Sequence, residues 1–253
     1  VLTAALIASA GLAAPISTFT AAAPEGQPPL AAFFGFDAMR TVVVDRGCGP
    51  VVVADFNADG RPDLAIVNNG KSRIELQLLR AQERTPEEMG KDLKVNQLPP
   101  SPWYDRQEIS LSARVSALRA FDVDGDGRLD LIYAGQSPSE IVVMRQGEGT
   151  TFKVMARERV RGLSASQGGL RIADVMGDEA PEVITLAEDK VVAYPLGKDG
   201  VLGEPRRLPT DKPAGGLIVG DFNGDGLTDI LAGVNDEQTP LRLWLQRQDP
   251  RVS

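Results

Sequence analysis

The 253-residue sequence contains no histidine and a single cysteine, Cys48. Without histidine, the chain cannot build the catalytic triads and dyads that use an imidazole base, nor most zinc sites with mixed ligands. With one cysteine there is no intrachain disulfide, no CxxC pair and no thiolate cluster. The side chains that remain for chemistry are mainly carboxylates.

Positive charge is also in short supply: 27 basic residues stand against 35 acidic residues, which gives a net charge of −8. Binding to nucleic acid or to anionic lipid needs a concentrated positive face, so we expect no nucleic-acid partner. Apolar residues make up 42% of the chain, enough for a folded core. The 26 glycines and 18 prolines predict many tight turns and few long helices.

Residues 1–24 carry no charged side chain. The alanine-rich run Ala4–Ala14, which Pro15 interrupts, is shorter than the roughly 20 apolar residues of a membrane-spanning helix. An apolar run followed by small residues such as Ala21–Ala23 is typical of an export signal and predicts a secreted, periplasmic or cell-surface protein. No basic residue precedes the run, so a flexible Ala/Pro linker is the alternative. Neither interpretation leaves a membrane span in the mature chain.

Residues 25–253 contain an internal repeat. Four segments share an apolar, β-branched run, an acidic loop and a second apolar run, and their first aspartates are Asp55, Asp122, Asp174 and Asp221. Such short runs bounded by turn residues predict strands. A third strand is predicted in each unit and a fourth strand in two units. The third strands are Ile74–Leu79, Ile141–Met144, Val191–Tyr194 and Leu241–Leu245, and the fourth strands are Thr151–Met155 and Arg206–Leu208.

This pattern predicts an all-β fold, a β-propeller whose four blades are four-stranded antiparallel sheets. A stack of related sandwiches is the alternative, and it explains the spacing less well. The last unit has only three strands. The strand-like runs Ala31–Phe36 and Arg40–Asp45 would complete that blade and close a ring, or else the four blades are an arc of a larger propeller.

Three of the acidic loops share the pattern D-x-D/N-x-D-G-x-x-D. Oxygen ligands at positions one, three, five and nine, a glycine at position six and a backbone carbonyl at position seven suit Ca²⁺. Carboxylates this close together repel one another unless a cation lies among them. The predicted ligands are Asp55, Asn57, Asp59, Arg61, Asp63, Asp122, Asp124, Asp126, Arg128, Asp130, Asp221, Asn223, Asp225, Leu227 and Asp229, where Arg61, Arg128 and Leu227 contribute carbonyl groups.

An EF-hand and a metal-free turn account for the loops less well. An EF-hand needs flanking helices and a glutamate at position twelve, where this chain has Ile66, Tyr133 and Ala232. Metal-free turns rich in aspartate and asparagine would explain one loop, but three copies in register favour calcium.

The third acidic segment departs from this pattern. It keeps Asp174, Asp178 and Glu182, but Met176 replaces the oxygen ligand at position three and Glu179 replaces the glycine. We therefore predict a weak or metal-free site there.

The segments VADFNADGRPDL, RAFDVDGDGRLDL and VGDFNGDGLTDI resemble the FG-GAP/VCBS repeats of integrin-like β-propellers. The resemblance covers residues 30–253 approximately. It implies a propeller whose Ca²⁺ ions lie in the loop between the first and second strands of a blade, and a role in binding other molecules.

A site closed by one local loop leaves no open position for a substrate, so we expect a structural role for calcium. The sequence thus favours an exported, non-catalytic module that binds a protein or a glycan. The alternative is a secreted polysaccharide lyase or hydrolase, since carboxylates or a Lys/Arg base serve without histidine. The insertion at residues 80–105, with Trp103 and Tyr104, is a candidate ligand surface, although packing of these rings against the propeller is the simpler interpretation.

Overall fold

The computed structural model describes residues 2–5, 18–21, 41–90 and 100–247. The chain divides into two compact units, residues 1–42 and 43–253. In the first unit, β1 (Leu2–Ala5) pairs antiparallel with β2 (Thr18–Ala21). The rest of the signal-like segment 1–24 and the strand-like run Ala31–Phe36 lie outside the described residues.

The second unit consists of four antiparallel sheets, in each of which neighbouring strands are consecutive in the chain. Sheet 1 contains β3 (Cys48–Ala54), β4 (Asp63–Asn68), β5 (Arg73–Leu79) and β6 (Tyr104–Ser110). Sheet 2 contains β7 (Val115–Phe121), β8 (Asp130–Gln136), β9 (Ser139–Gln146) and β10 (Phe152–Arg159). Sheet 3 contains β11 (Leu170–Ala173), β12 (Glu182–Ala187), β13 (Lys190–Pro195) and β14 (Arg206–Pro209). Sheet 4 contains β15 (Ala214–Gly220), β16 (Asp229–Val234) and β17 (Leu241–Trp244).

These meandering sheets confirm the predicted blades of an all-β propeller. The sequence pattern did not predict β6, because the insertion separates it from β5. Within that insertion, the described residues include the short helix α1 (Pro86–Gly90). Residues 91–99 lie outside the described part of the chain.

The core lies between successive sheets, and the second strand of each sheet explains how. In β12, Val183 belongs to the apolar cluster shared with sheet 2, whereas the next residue, Ile184, belongs to the cluster shared with sheet 4. In β8, Leu131 and Ile132 divide in the same way between sheets 1 and 3. Because adjacent side chains of a strand point to opposite faces, a strand buried on both faces needs a continuous apolar run. The sequence has such a run after each acidic loop.

Among the described residues, the series of contacts between sheets does not close into a ring. β3 contacts β7, β7 contacts β11 and β11 contacts β15, but no comparable contact joins β15 to β3 among the described residues. Ile218 of β15 is 53% exposed, and Val53 of β3 is 63% exposed. The predicted strand Arg40–Asp45 is wrong for its described part, since residues 41–45 form no strand. Among the described residues, sheet 4 has three strands.

The second strand of sheet 4 shows the same opening. Leu231 lies two residues after the acidic residue at position nine of its loop, as Ala65, Ile132 and Ile184 do in the other three sheets. Those three side chains are fully buried, whereas Leu231 is only half-buried. Leu231 pairs with Leu243 of β17, which is 50% exposed. The outer face of sheet 4 is thus apolar and open.

This difference between inner and outer faces predicts the effects of two truncations. Ile132→Ala removes buried methyl groups between sheets 2 and 3, and we expect it to cost about 2–5 kcal/mol of unfolding free energy. Leu243→Ala removes atoms from an exposed face, and the expected change is within about 0.5 kcal/mol. Urea denaturation measures both. Equal losses for the two variants would contradict the open face.

Candidate metal centres

Each acidic loop joins the first and second strands of one sheet. Loop 1 is residues 55–63, loop 2 is 122–130, loop 3 is 174–182 and loop 4 is 221–229. Loops 1 and 2 are linked directly: Gln146, at the end of β9 next to loop 2, donates its side-chain amide to the carbonyl of Phe56 in loop 1 at 2.6 Å. The acidic residues are therefore concentrated at one end of the second unit.

The position-one aspartate closes each loop onto its own backbone. In loop 2, Asp122 Oδ2 accepts a hydrogen bond from Gly127 N at 2.9 Å, and Oδ1 accepts one from Gly125 N at 2.8 Å. The bond to position six recurs at Asp55 in loop 1 and at Asp221 in loop 4. Backbone N–H groups of loop 4, first that of Gly226, donate to Asp221 and lower the pKa of its carboxyl group. It therefore stays ionised, as a cation ligand must.

Position five orients position seven. The carboxylate Oδ1 of Asp126 accepts a hydrogen bond from Arg128 N at 2.9 Å. The equivalent bonds in loops 1 and 4 run from Arg61 N to Asp59 and from Leu227 N to Asp225. The N–H of position seven is thus occupied by the loop. Its carbonyl, the predicted calcium ligand, makes no described hydrogen bond in any of the three loops.

The glycine at position six is required by the backbone. Gly60, Gly127 and Gly226 adopt φ angles of 82°, 84° and 83°, the left-handed region that disfavours residues with a Cβ. The glycine therefore serves the sharp turn that brings positions one and five together.

Loop 2 brings three predicted ligands to one place. One oxygen each from Asp122, Asp124 and Asp130 lies within 4.8 Å of the other two. Every donor in this set is a carboxylate oxygen, the type of atom that Ca²⁺ prefers.

Loops 1 and 4 have asparagine at position three. Asn57 and Asn223 donate through their amide nitrogens to the position-five carboxylates Asp59 and Asp225. The amide oxygen of Asn57 accepts a hydrogen bond from Asp59 N. The side chain at position three is therefore held against position five in these loops. Its amide oxygen is the atom that would bind a cation.

Position nine has a second role that the sequence did not reveal. Asp130 is fully buried, and its Oδ2 and Oδ1 accept hydrogen bonds from Val123 N at 3.0 Å and Gln146 N at 2.8 Å. Asp63 and Asp229 are equally buried and accept the equivalent pairs of bonds. One carboxylate thus joins the loop, the second strand and the chain at the end of the third strand. We call this pair of hydrogen bonds the clamp at position nine. Burial raises the pKa of Asp63 and of Asp130.

Loop 3 keeps the shape of the other loops but not their ligands. Asp174 Oδ2 accepts a hydrogen bond from Glu179 N at 2.9 Å, and Glu179 adopts a φ of 64° without being glycine. The side chain of Met176 packs against the apolar cluster between sheets 3 and 4. Glu182 accepts from Val175 N and is buried, which raises its pKa. The bond from position nine to the loop therefore persists in a loop that lacks the position-three oxygen, whereas the N–H after the third strand, that of Leu196, donates to Pro181 O.

Arginines contact the carboxylates of loops 1 and 2. Arg61 pairs with Asp59, and Arg128 pairs with Asp126 at 2.7 Å. Arg145 of β9 contacts both Asp124 and Asp126 of loop 2. These arginine side chains are exposed to a large extent, so they contribute only partial neutralisation of the clustered acids.

The candidate ligand surface lies at the start of β6. Trp103 and Tyr104 are half-buried, and the backbone carbonyls of these residues accept hydrogen bonds from Arg80 N and Arg84 Nη1. Arg80 and Arg84 both contact Asp105. The insertion is thus folded back on itself around these two arginines.

A comparison with protein families finds the FG-GAP-like repeat twice, at residues 122–185 and 174–232. The chain contains FG-GAP-like repeats. The two matched segments begin at the first aspartates of loops 2 and 3, and each extends into the second strand of the next sheet, so each match is offset from a blade and spans two acidic loops. Loops 1 and 4 have the same anatomy. No curated protein gives a significant match to the sequence.

Within the described residues, no helix has the length and apolarity needed to cross a bilayer.

The clamp at position nine predicts the result of a truncation made without any metal. Asp130→Ala leaves two buried backbone N–H groups without acceptors, and each such group costs about 1–3 kcal/mol. We expect a loss of unfolding free energy in that range or above, measured by urea denaturation in the presence of a chelator. The exposed Glu237→Ala is the control and should change little. A small loss for Asp130→Ala would show that the carboxylate matters only through a metal.

Proposed function

We propose that the protein is an exported, calcium-stabilised propeller module that binds a protein or a glycan and has no catalytic role of its own. The observation that supports the calcium assignment is the recurrence of one pattern of oxygen donors in loops 1, 2 and 4, with the same backbone hydrogen bonds, and the convergence of three carboxylates in loop 2. Export rests on the uncharged, alanine-rich residues 1–24.

The donor set supports Ca²⁺ rather than a transition metal. The loops contribute carboxylate and amide side chains and a carbonyl, and none contributes imidazole or sulfur ligands. Such hard oxygen donors select calcium or magnesium, and a flexible loop with six or more oxygens suits the larger ion. Bound calcium would supply the positive charge that the clustered acids lack.

A structural role for the ion follows from where the loops lie. Position one is at the end of the first strand of a sheet, and position nine begins the second strand. An ion that binds both positions would hold the two strands together. Position nine also holds the end of the third strand, so the ion would stabilise most of one blade.

Calcium is expected to raise the melting temperature of the protein, because a ligand that binds only the folded state stabilises it. At a concentration of 100 Kd, each site contributes about 2.7 kcal/mol. Calorimetric melting with calcium, with magnesium and with chelator measures the effect. An unchanged melting temperature with calcium would contradict the proposal.

Loop 3 offers a matched test of which residues bind the ion. The double substitution Met176→Asp and Glu179→Gly restores the pattern of the other loops, and we expect calcium bound per chain to rise by one ion in titration calorimetry.

Asp122→Asn in loop 2 should weaken one site, while Asp174→Asn in loop 3 should leave the stoichiometry unchanged. Equal effects of the two asparagine substitutions would show that the position-three ligand does not decide binding.

The non-catalytic role is separable from the calcium role. We expect no new reducing or unsaturated ends when the calcium-loaded protein is incubated with acidic and neutral polysaccharides. Product formation that persists after repeated purification would favour the alternative, a propeller lyase or hydrolase that uses carboxylates or a Lys/Arg base.

A further inference from the structure

The end of the second unit opposite the acidic loops contains a polar cavity of about 980 Å³. Its walls come from the start of β3, the start of β7 and the segment that precedes β11. The described lining residues include no aspartate or glutamate, in a protein with a net charge of −8. The charged residue in the lining is Arg114, which is exposed and makes no described ion pair.

Hydroxyl and amide groups make up much of the rest of the lining. Asn69 and Gln136 are fixed by hydrogen bonds that cross between sheets: Asn69 donates to Val115 O at 2.9 Å, and Gln136 Nε2 donates to Ser164 O at 3.0 Å. These bonds give the cavity a preformed wall. Further polar side chains, all exposed, come from Ser72, Ser137 and Gln167.

Arg119 contacts a residue of this lining, and Arg171 lies close to Arg119. Arg119 of β7 reaches the carbonyl of Gln167, a lining residue, through Nη2 at 3.4 Å, and its Nη1 donates to Leu118 O at 2.6 Å. Arg171 of β11 repeats the second bond, with Nη1 donating to Leu170 O at 2.7 Å. Both side chains are half-buried. No described ion pair joins either guanidinium group to an acid.

Arg119 and Arg171 repel each other, and neither has a described acidic partner. Elsewhere, arginines such as Arg73 and Arg84 contact one or more carboxylates. The pKa of Arg119 is lowered by burial and by the positive charge of Arg171, and the pKa of Arg171 is lowered by burial. Burial and mutual repulsion therefore make the two guanidinium charges energetically unfavourable. Both groups also have N–H donors that are free to bind a ligand.

We propose that this cavity, with Arg114 in its lining, Arg119 against the lining residue Gln167 and Arg171 beside Arg119, binds a hydroxylated carboxylate, the chemistry of a uronic acid. Guanidinium groups match the geometry of a carboxylate, and the hydroxyl and amide lining suits the hydroxyl groups of a sugar ring. The cavity volume falls within the range of small-ligand sites. This ligand class rests on the binding role proposed above, but it does not depend on calcium.

The test uses the full, calcium-loaded chain in titration calorimetry with galacturonate, trigalacturonate and neutral galactose. We expect binding of the acidic sugars and none of galactose. The variant Arg119→Gln/Arg171→Gln should bind about tenfold more weakly or worse, because it loses charge-assisted hydrogen bonds. The control is Arg159→Gln, which alters an exposed arginine of β10 without a described ion pair and should bind as the parent does.

The possible outcomes distinguish a free sugar acid from an acidic saccharide chain as the ligand. They also distinguish failure of the sugar site from failure of the calcium role. Binding of galacturonate alone identifies a free acid as the ligand, and tighter binding of trigalacturonate identifies an acidic saccharide chain. Equal binding of galactose, no binding of either acid, or unchanged binding by the double variant would overturn the proposal. Melting with and without calcium shows that the variant is folded. If the protein is stabilised by calcium but binds no acidic sugar, the proposed sugar site is wrong and the calcium role stands. If it binds acidic sugars but is not stabilised by calcium, only the calcium role is wrong.

Discussion

The structure depends on one buried carboxylate in each blade, at position nine of the acidic loop. Asp63, Asp130 and Asp229 each accept hydrogen bonds from backbone N–H groups of the loop and of the chain at the end of the third strand. A buried carboxylate is costly unless such bonds satisfy it. Because these bonds fix the loop before any ligand is considered, the oxygens of the other positions are held in a common arrangement. Loop 3 shows that the bond from position nine to the loop is separable from the ligands, since Glu182 keeps that bond where Met176 replaces an oxygen ligand.

Much of the fold could be predicted from sequence because two signals agree at each blade. The apolar run that follows each loop is buried, and the loop itself has a glycine where the backbone turns sharply, as at Gly127. The sequence did not reveal β6, because residues between β5 and β6 carry the insertion and no periodic pattern links the two strands. It also did not reveal the clamp, since an aspartate that binds a metal and one that accepts two backbone hydrogen bonds look alike in a sequence.

The ends of the blade series illustrate a different limit. Local pattern predicts strands, but it does not determine what covers the outer face of the first or last sheet. Leu231 has the same sequence context as Ile132 and Ile184, and only its exposure distinguishes it. The repeat determines where an apolar side chain lies on its strand, but the adjacent sheet determines whether that side chain is buried. The sequence of one repeat does not encode which sheet lies next to it.

The distribution of charge assigns different chemistry to the two ends of the second unit. Acids are gathered in the loops, where backbone N–H groups and arginines such as Arg128 and Arg145 partly neutralise them. Arg119, whose side chain reaches the lining residue Gln167, and Arg171 lie on neighbouring first strands without described acidic partners. Both arrangements store unfavourable electrostatic energy, which the proposed cation and the proposed anion would relieve. Under the two proposals, a fold built from similar blades holds a cation at one end and an anion at the other. The first strands bear the acids at their ends and the arginines along their length, so the two sites are positioned by the same backbone.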